Sequence, residues 1–125
     1  MLKRAGVAPD DNDGSRVLVD RLWPRGFSHE QLRLDAWAKD LAPSTALRQW
    51  FNHEAGKWPG FKERYFNELS SQKERIASLM GQAKNMRITL IYASREDRYN
   101  NAVALKEYLE QMMTPDAFSA GKESL

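Results

Sequence analysis

Cysteine is absent from the 125 residues of this chain. Its absence excludes disulfides, thiolate metal sites and cysteine nucleophiles together. Histidine is scarce as well, since His29 and His53 are the two histidines in the sequence and no ligand motif surrounds either of them. No phosphate-binding or dinucleotide-binding glycine pattern and no serine nucleophile elbow occurs. We therefore predict no metal site and no cofactor.

Long apolar runs are also missing, so no segment predicts a membrane span. Lys3 and Arg4 are not followed by the apolar stretch of a secretion signal, and we expect a cytoplasmic protein without a membrane partner. The formal net charge is only +2, which is too small to indicate nucleic acid as a partner by itself. A composition of 42% hydrophobic and 29% charged residues is ordinary for a globular protein.

The apolar pattern predicts a single α/β domain over residues 1–113, with a small parallel-type sheet of about three strands covered by several helices. The predicted strands cover residues 1–5, 16–22 and 87–93. The predicted helices cover residues 35–41, 44–52, 61–71, 73–84 and 97–113. Residues 114–125 have little apolar periodicity and are expected to form a loosely ordered tail.

A polar cluster follows the strand at 16–22. Asp20 stands at the strand's end, and Arg21 and Arg25 carry guanidinium groups that suit phosphates and carboxylates. Trp23 offers a flat ring on which a base or an arginine can stack. The cluster predicts an anion or nucleotide pocket. The alternative is a purely structural role, in which Asp20 forms an ion pair with one of the arginines and Trp23 packs in the core.

A second polar cluster follows the strand at 87–93 and consists of Ser94, Arg95, Asn100 and Asn101. Helix starts attract anions, although a serine such as Ser94, taken alone, is more typical of a simple helix cap. Adjacent helical positions point about 100° apart, so one of the two asparagines at most is expected to face a pocket. Because ligands of parallel sheets bind at the carboxyl ends of the strands, the two clusters share one cleft if the strands are neighbours.

Four blocks of the sequence carry a resemblance: RVLVDRLWPRG, DAWAKDLAPSTALRQWFNH, FKERYFNEL and TLIYASREDRYNNAVALKEYL. In this order and spacing, from about Lys3 to Leu109, the chain resembles the YeaO-like branch of the domain-of-unknown-function family 488. The resemblance implies a small bacterial or archaeal α/β protein and no settled reaction. More distant members have a cysteine motif after the last strand, where this sequence has Ser94 and Arg95.

The sequence favours a binder of, or an enzyme acting on, a small anionic ligand that resembles a phosphate or nucleotide. Arg21, Arg25 and Arg95 would hold the anion, Trp23 would stack on the ligand, and Asp20 would orient the arginines or act as the catalytic acid or base.

Two alternatives remain at this point. One is a non-catalytic interaction or regulatory module with an exposed patch of Trp50, Phe51 and Trp58. The other is a nucleic-acid-associated protein in which Trp23 or Trp58 stacks on unpaired bases. The sequence leaves the ligand, the reaction and the oligomeric state open.

Overall fold

A computed structural model describes residues 1–83 and 87–113 of the chain. The strands in these residues are β1 (Leu2–Arg4), β2 (Ser15–Leu18), β3 (Ala36–Trp37) and β4 (Ile88–Tyr92). The helices are α1 (His29–Leu32), α2 (Thr45–Phe51), α3 (Trp58–Ser70), α4 (Lys73–Gly81) and α5 (Asn101–Met113). Short 3-10 turns lie at Asp11–Asp13, Lys39–Leu41 and Ala55–Lys57. In these two ranges no helix is both long and apolar enough to cross a bilayer.

The strands form one parallel sheet in the order β1-β4-β2-β3. The predicted α/β fold is confirmed, and the sheet has four strands where about three were expected. The two strongly apolar strands are central neighbours, with Val17 opposite Leu90 and Leu18 opposite Ile91. This adjacency is the condition under which the two polar clusters of the sequence meet.

The central strands are apolar on both faces because each face carries its own core. Val17 and Leu90 pack into the larger core, to which α2, α3, α4 and α5 contribute. Leu18 and Ile91 pack into a smaller core with Leu32 on the other face. All five side chains are at most 1% exposed, which explains why both strands read as continuous apolar runs.

The helix predicted over residues 35–41 is wrong. Its start is the edge strand β3 and its end is a 3-10 turn. The backbone here bonds to β2 and the segment after it: the Ala38 N–H donates to the Leu18 oxygen at 2.8 Å. The Trp37 ring N–H donates to the Asp20 main-chain oxygen, also at 2.8 Å. Pairing with a distant strand outweighs the local helical pattern, a competition that local sequence does not reveal.

Other predicted elements are confirmed with shifted ends. β2 ends at Leu18 rather than Leu22, and α5 begins at Asn101 rather than Asp97. Ser44 caps α2 as predicted, since its hydroxyl accepts a hydrogen bond from the Leu47 N–H at 3.1 Å. The predicted tail over 114–125 lies outside the described residues.

A buried ion cluster lies at the amino ends of the strands. Asp13 is 1% exposed, and its carboxylate lies 2.5 Å from Arg16 Nη1 and 2.6 Å from Lys3 Nζ. The Thr89 hydroxyl donates to the Asp13 main-chain oxygen at 2.8 Å, which ties the cluster to β4. Burial alone would raise the pKa of Asp13, but the hydrogen bonds from Lys3, the Asp10 backbone and Arg16 outweigh burial and hold that pKa below its usual value.

We expect Asp13→Asn to lower the free energy of unfolding by about 3 kcal/mol, because it leaves the Arg16 guanidinium buried without its counterion. Urea unfolding measures the loss. The matched control is Asp11→Asn, an exposed neighbour on the same 3-10 turn, for which we expect a change within about 0.5 kcal/mol. Equal losses in the two variants would contradict a stabilising cluster.

The same variant has a predicted pH dependence. Because the folded-state pKa of Asp13 is lowered, its contribution is complete above the unfolded-state pKa near 3.9 and is lost as the pH falls through the folded-state value. The difference in unfolding free energy between wild type and Asp13→Asn should therefore shrink on acidification below about pH 4. A difference that grows on acidification would overturn this assignment.

Candidate functional site

A cleft of about 1230 Å³ opens at the carboxyl ends of β2 and β4. Segments 20–25 and 93–101 leave the sheet there side by side, and residues from α2 and the loop after it form the facing wall. The cleft is lined by all eight side chains that we predicted as site residues: Asp20, Arg21, Trp23, Arg25, Ser94, Arg95, Asn100 and Asn101. Their location agrees with a shared cleft, while their roles remain predictions.

Asp20 links the two strand ends. The last backbone bond between the strands runs from the Val19 N–H to the Ile91 oxygen at 3.1 Å. One residue further on, the Asp20 carboxylate accepts from the Ala93 N–H at 2.9 Å and from Asn101 Nδ2 at 3.2 Å. Asn101 Nδ2 also donates to the Val19 oxygen at 3.0 Å. Both oxygens of this carboxylate are thus occupied in joining β2, β4 and the start of α5.

The electrostatic environment of Asp20 is opposite to that of Asp13. Burial raises the pKa of Asp20, and this effect outweighs the hydrogen bonds from Ala93 and Asn101 and the charge of Arg48, which all lower it. The folded protein therefore favours the protonated form of this carboxyl group more than the unfolded chain does.

Five arginines line the cleft: Arg21, Arg25, Arg48, Arg95 and Arg98. All five are exposed, and the ion pairs among the described residues involve other cations. The guanidinium of Arg21 donates to the Pro43 oxygen at 3.3 Å. The positive groups of the cleft thus have no carboxylate in ion-pairing distance within residues 1–83 and 87–113.

The acidic residues of the cleft are partnered elsewhere. Besides Asp20, they are Glu96 and Asp97. Glu96 Oε1 accepts from the backbone N–H groups of Arg98 and Tyr99, at 3.2 and 3.1 Å. Asp97 lies 3.9 Å from Arg4, whose guanidinium also donates to the Arg95 main-chain oxygen. The carboxylates therefore shape the loop, and among the described residues none of them forms an ion pair with the five arginines of the cleft.

Trp23 lines the cleft but is committed to packing. Its ring N–H donates to the Phe27 oxygen at 2.7 Å. Its ring centroid lies 4.3 Å from that of His29 and 5.5 Å from that of Trp37. The ring also packs against the smaller core beneath the sheet. These contacts favour the packing interpretation of Trp23 over ligand stacking.

A family model described as the inactive DUF488-N3 subclade matches residues 1–124. The chain belongs to the DUF488 family. The resemblance predicted from four blocks of the sequence is therefore confirmed.

Relatives of this DUF488 member include proteins of Escherichia coli and of two Mycobacterium species. The uncharacterised protein YeaO of Escherichia coli K12 is 37% identical over 110 residues, which cover 88% of this chain and 96% of that protein. Uncharacterised proteins of Mycobacterium bovis and Mycobacterium tuberculosis are 36% identical over 102 residues, covering 80% of this chain and 84% of each relative. No solved structure matches the chain.

In this DUF488 member, two of the predicted residues shape the start of α5. The Ser94 hydroxyl accepts from the Glu96 N–H at 3.1 Å. Asn100 is 5% exposed and caps the helix, because its Oδ1 accepts from the Val103 N–H at 2.9 Å and its Nδ2 donates to the Glu96 oxygen at 2.7 Å. Their side chains hold the loop, whereas the Arg95 side chain is exposed at the cleft.

The cleft also has lining residues that were absent from the predicted site, among them Arg48, His53, Arg98 and Tyr99. A signal for Arg48 exists in the sequence, because an acid three or four positions away is the local ion-pair partner that a helical arginine can have. Here those positions hold Ser44, Thr45, Phe51 and Asn52. His53 and Tyr99 have no comparable signal, because their place at the cleft depends on how α2 packs beside α5.

We expect Arg48→Gln to raise the pKa of Asp20 further, because the charge of Arg48 lowers it in the wild type. Titration of the Asp20 carboxyl carbon by NMR measures the change. Arg64→Gln serves as the control, since Arg64 lies over the Trp50 ring outside the cleft and should leave the Asp20 pKa unchanged. A lower pKa in Arg48→Gln, or the same shift in both variants, would disprove the coupling.

Proposed function

We propose that this protein binds a small anion, bearing a phosphate or carboxylate group, in the cleft at the carboxyl ends of β2 and β4. The observation that carries the proposal is that the arginines and the carboxylates of the cleft differ in whether they have partners within the protein. The five arginines of the cleft have no ion-pairing carboxylate in the described residues, whereas its carboxylates are hydrogen-bonded or paired elsewhere. An anion would supply the missing counter-charge.

The chemistry of arginine supports this choice of ligand. A guanidinium is planar and always charged, and its forked donors match two oxygens of a phosphate or carboxylate. Arg25, Arg48 and Arg95 come from three different segments around the cleft, so they can approach one anion from several sides. Parallel sheets bind ligands at this end of their strands, which adds a general argument for the same location.

We further propose that binding occurs without catalysis. The matched family model is described as inactive, and the chain has no cysteine after β4 or elsewhere. Both oxygens of Asp20 accept hydrogen bonds from the scaffold, which favours a positioning role over acid–base chemistry for this residue. The lack of cysteine also fits a cytoplasmic setting, where thiols stay reduced and disulfides are rare.

The two alternatives from the sequence receive less support. The interaction-module alternative requires an exposed aromatic patch. However, Phe51 is only 6% exposed, and Trp50 and Trp58 pack against the larger core. Stacking on nucleic-acid bases called for Trp23 or Trp58, and both rings have protein partners. Binding of nucleic acid is therefore measured as a competing outcome in the experiment below.

We expect pyrophosphate and citrate to raise the Tm of the wild type in a thermal shift experiment, because a ligand that binds only the folded state stabilises it. At about 100 times Kd the gain is about 2.7 kcal/mol, or roughly 10 °C for a domain of this size. Arg25→Ala and Arg48→Ala should each reduce the ligand-dependent shift to less than half. Arg64→Gln removes one positive charge outside the cleft and should keep the full shift.

Three results would reject this function. The first is the lack of any anion-dependent shift in the wild type. The second is an equal loss of shift in Arg64→Gln and the cleft variants, which would indicate general charge screening. The third is tight, salt-sensitive binding of a single-stranded oligonucleotide with no response to small anions, which would favour the nucleic-acid alternative.

A further inference from the structure

We propose that the ligand of this cleft carries a planar aromatic ring beside its anionic group, and that His53 and Tyr99 hold that ring. The inference rests on the proposed anion binding and specifies the class of ligand. It distinguishes two groups of side chains in the cleft: the five arginines, here called the arginine end, which take the charge, and His53 and Tyr99, here called the aromatic end, which take the ring.

The aromatic end is built on a cluster of packed rings. Phe51 lies 4.5 Å from Phe61 and 5.9 Å from Trp58, measured between ring centroids. His53 lies 6.4 Å from Phe51, and Tyr99 lies 5.4 Å from Trp58. The imidazole and the phenol ring thus flank the same pair of packed rings from two different loops.

Exposure separates the base of this cluster from its open edge. Phe51 and Phe61 line the cleft but are only 6% and 2% exposed, so they form its floor. His53 is exposed and Tyr99 is half-buried, which leaves ring surface on both for a ligand. A flat ligand ring can stack on side chains of this kind, and stacking depends little on which ring the ligand carries.

The cleft has room for a ligand larger than an inorganic ion. Its volume of about 1230 Å³ lies above the roughly 300–1,000 Å³ of sites that enclose drug-sized molecules, so a molecule with both a ring and an anionic group fits in it. A phosphate ion bound by the arginines would leave the aromatic end empty. A nucleoside monophosphate or an aryl phosphate has the two parts that the two ends of the cleft suit.

The backbone at His53 explains how its ring reaches the cleft. Three residues other than glycine have positive φ among the described residues: Arg33, Asn52 and His53. Arg33 and Asn52 are the C-caps of α1 and α2, and His53 directly follows the Asn52 cap. The Glu54 N–H donates to the Phe51 oxygen at 3.0 Å across this turn. The left-handed backbone of His53 therefore belongs to the turn that ends α2, and this turn brings the imidazole to the cleft.

The test compares adenosine 5′-monophosphate with ribose 5-phosphate by calorimetry, since the two probes share a phosphorylated ribose and differ in the base. We expect the wild type to bind the nucleotide about tenfold more tightly or better, the gain typical of stacking one base. Arg48→Gln should lower the affinity for both probes by the same factor and keep the ratio of the two affinities, because Arg48 belongs to the arginine end.

Variants at the aromatic end should lose this preference. We expect His53→Gly and Tyr99→Leu to bring the two affinities within about twofold of each other. Tyr108→Leu is the matched control, because Tyr108 packs against Phe66 away from the cleft and its loss should keep the ratio.

The outcomes separate the two proposals. Equal affinity of the wild type for the two probes would overturn the inference and leave anion binding intact. A retained preference in both His53→Gly and Tyr99→Leu would overturn the assignment of the ring site to these residues. Failure of every anion to bind would overturn both proposals together.

Discussion

The parallel pairing of β2 with β4 is the constraint on which the rest of the molecule depends. Both strands are buried on two faces, so the solvent-exposed polar side chains of the cleft begin where the strands end. The backbone bond from Val19 to Ile91 is the last of the ladder, and the Asp20 carboxylate continues the link by accepting from the Ala93 N–H. A side chain thereby holds two diverging loops together and shapes the cleft between them.

The two ends of this sheet treat charge in opposite ways. At the amino end, Asp13 lies between Arg16 and Lys3 in a buried cluster, and its partners lower its pKa. At the carboxyl end, burial raises the pKa of Asp20, and the nearby arginines are exposed without ion pairs in the described residues. Removing one member of a buried pair is costly, whereas exposed charges add little to stability. The amino end is therefore organised for folding, and the carboxyl end has charge available for a ligand.

Much of this arrangement could be predicted from the sequence, because it follows from local signals. Continuous apolar runs indicate β2 and β4, and the four-residue spacing of Phe61, Tyr65 and Leu69 indicates α3. The polar residues directly after both strands then indicate the cleft. Signals of this kind depend on neighbours along the chain, which the sequence displays.

What could not be predicted depends on partners that are distant along the chain. β3 is a strand because its backbone bonds to β2, although its own residues read as helical. Trp23 stands where a stacking platform was expected, yet contacts with His29 and Trp37 decide its role. Arg48 and Tyr99 reach the cleft through the packing of their helices and loops. Local pattern predicts which residues are polar, while tertiary packing decides which of them remain available.

The exposed arginines of the cleft have an energetic consequence for the folded protein. Five exposed cations around one cleft repel each other, and the repulsion strengthens where apolar walls displace water. The Asp20 carboxylate interacts with one of these cations, Arg48, whose charge lowers the Asp20 pKa against the effect of burial. The fold tolerates this cost because the links from Asp20 and Asn101 to β4 and α5 secure the cleft independently of the arginines. Such a site needs no nucleophile to keep its shape, so the proposed anion binding does not depend on a catalytic group.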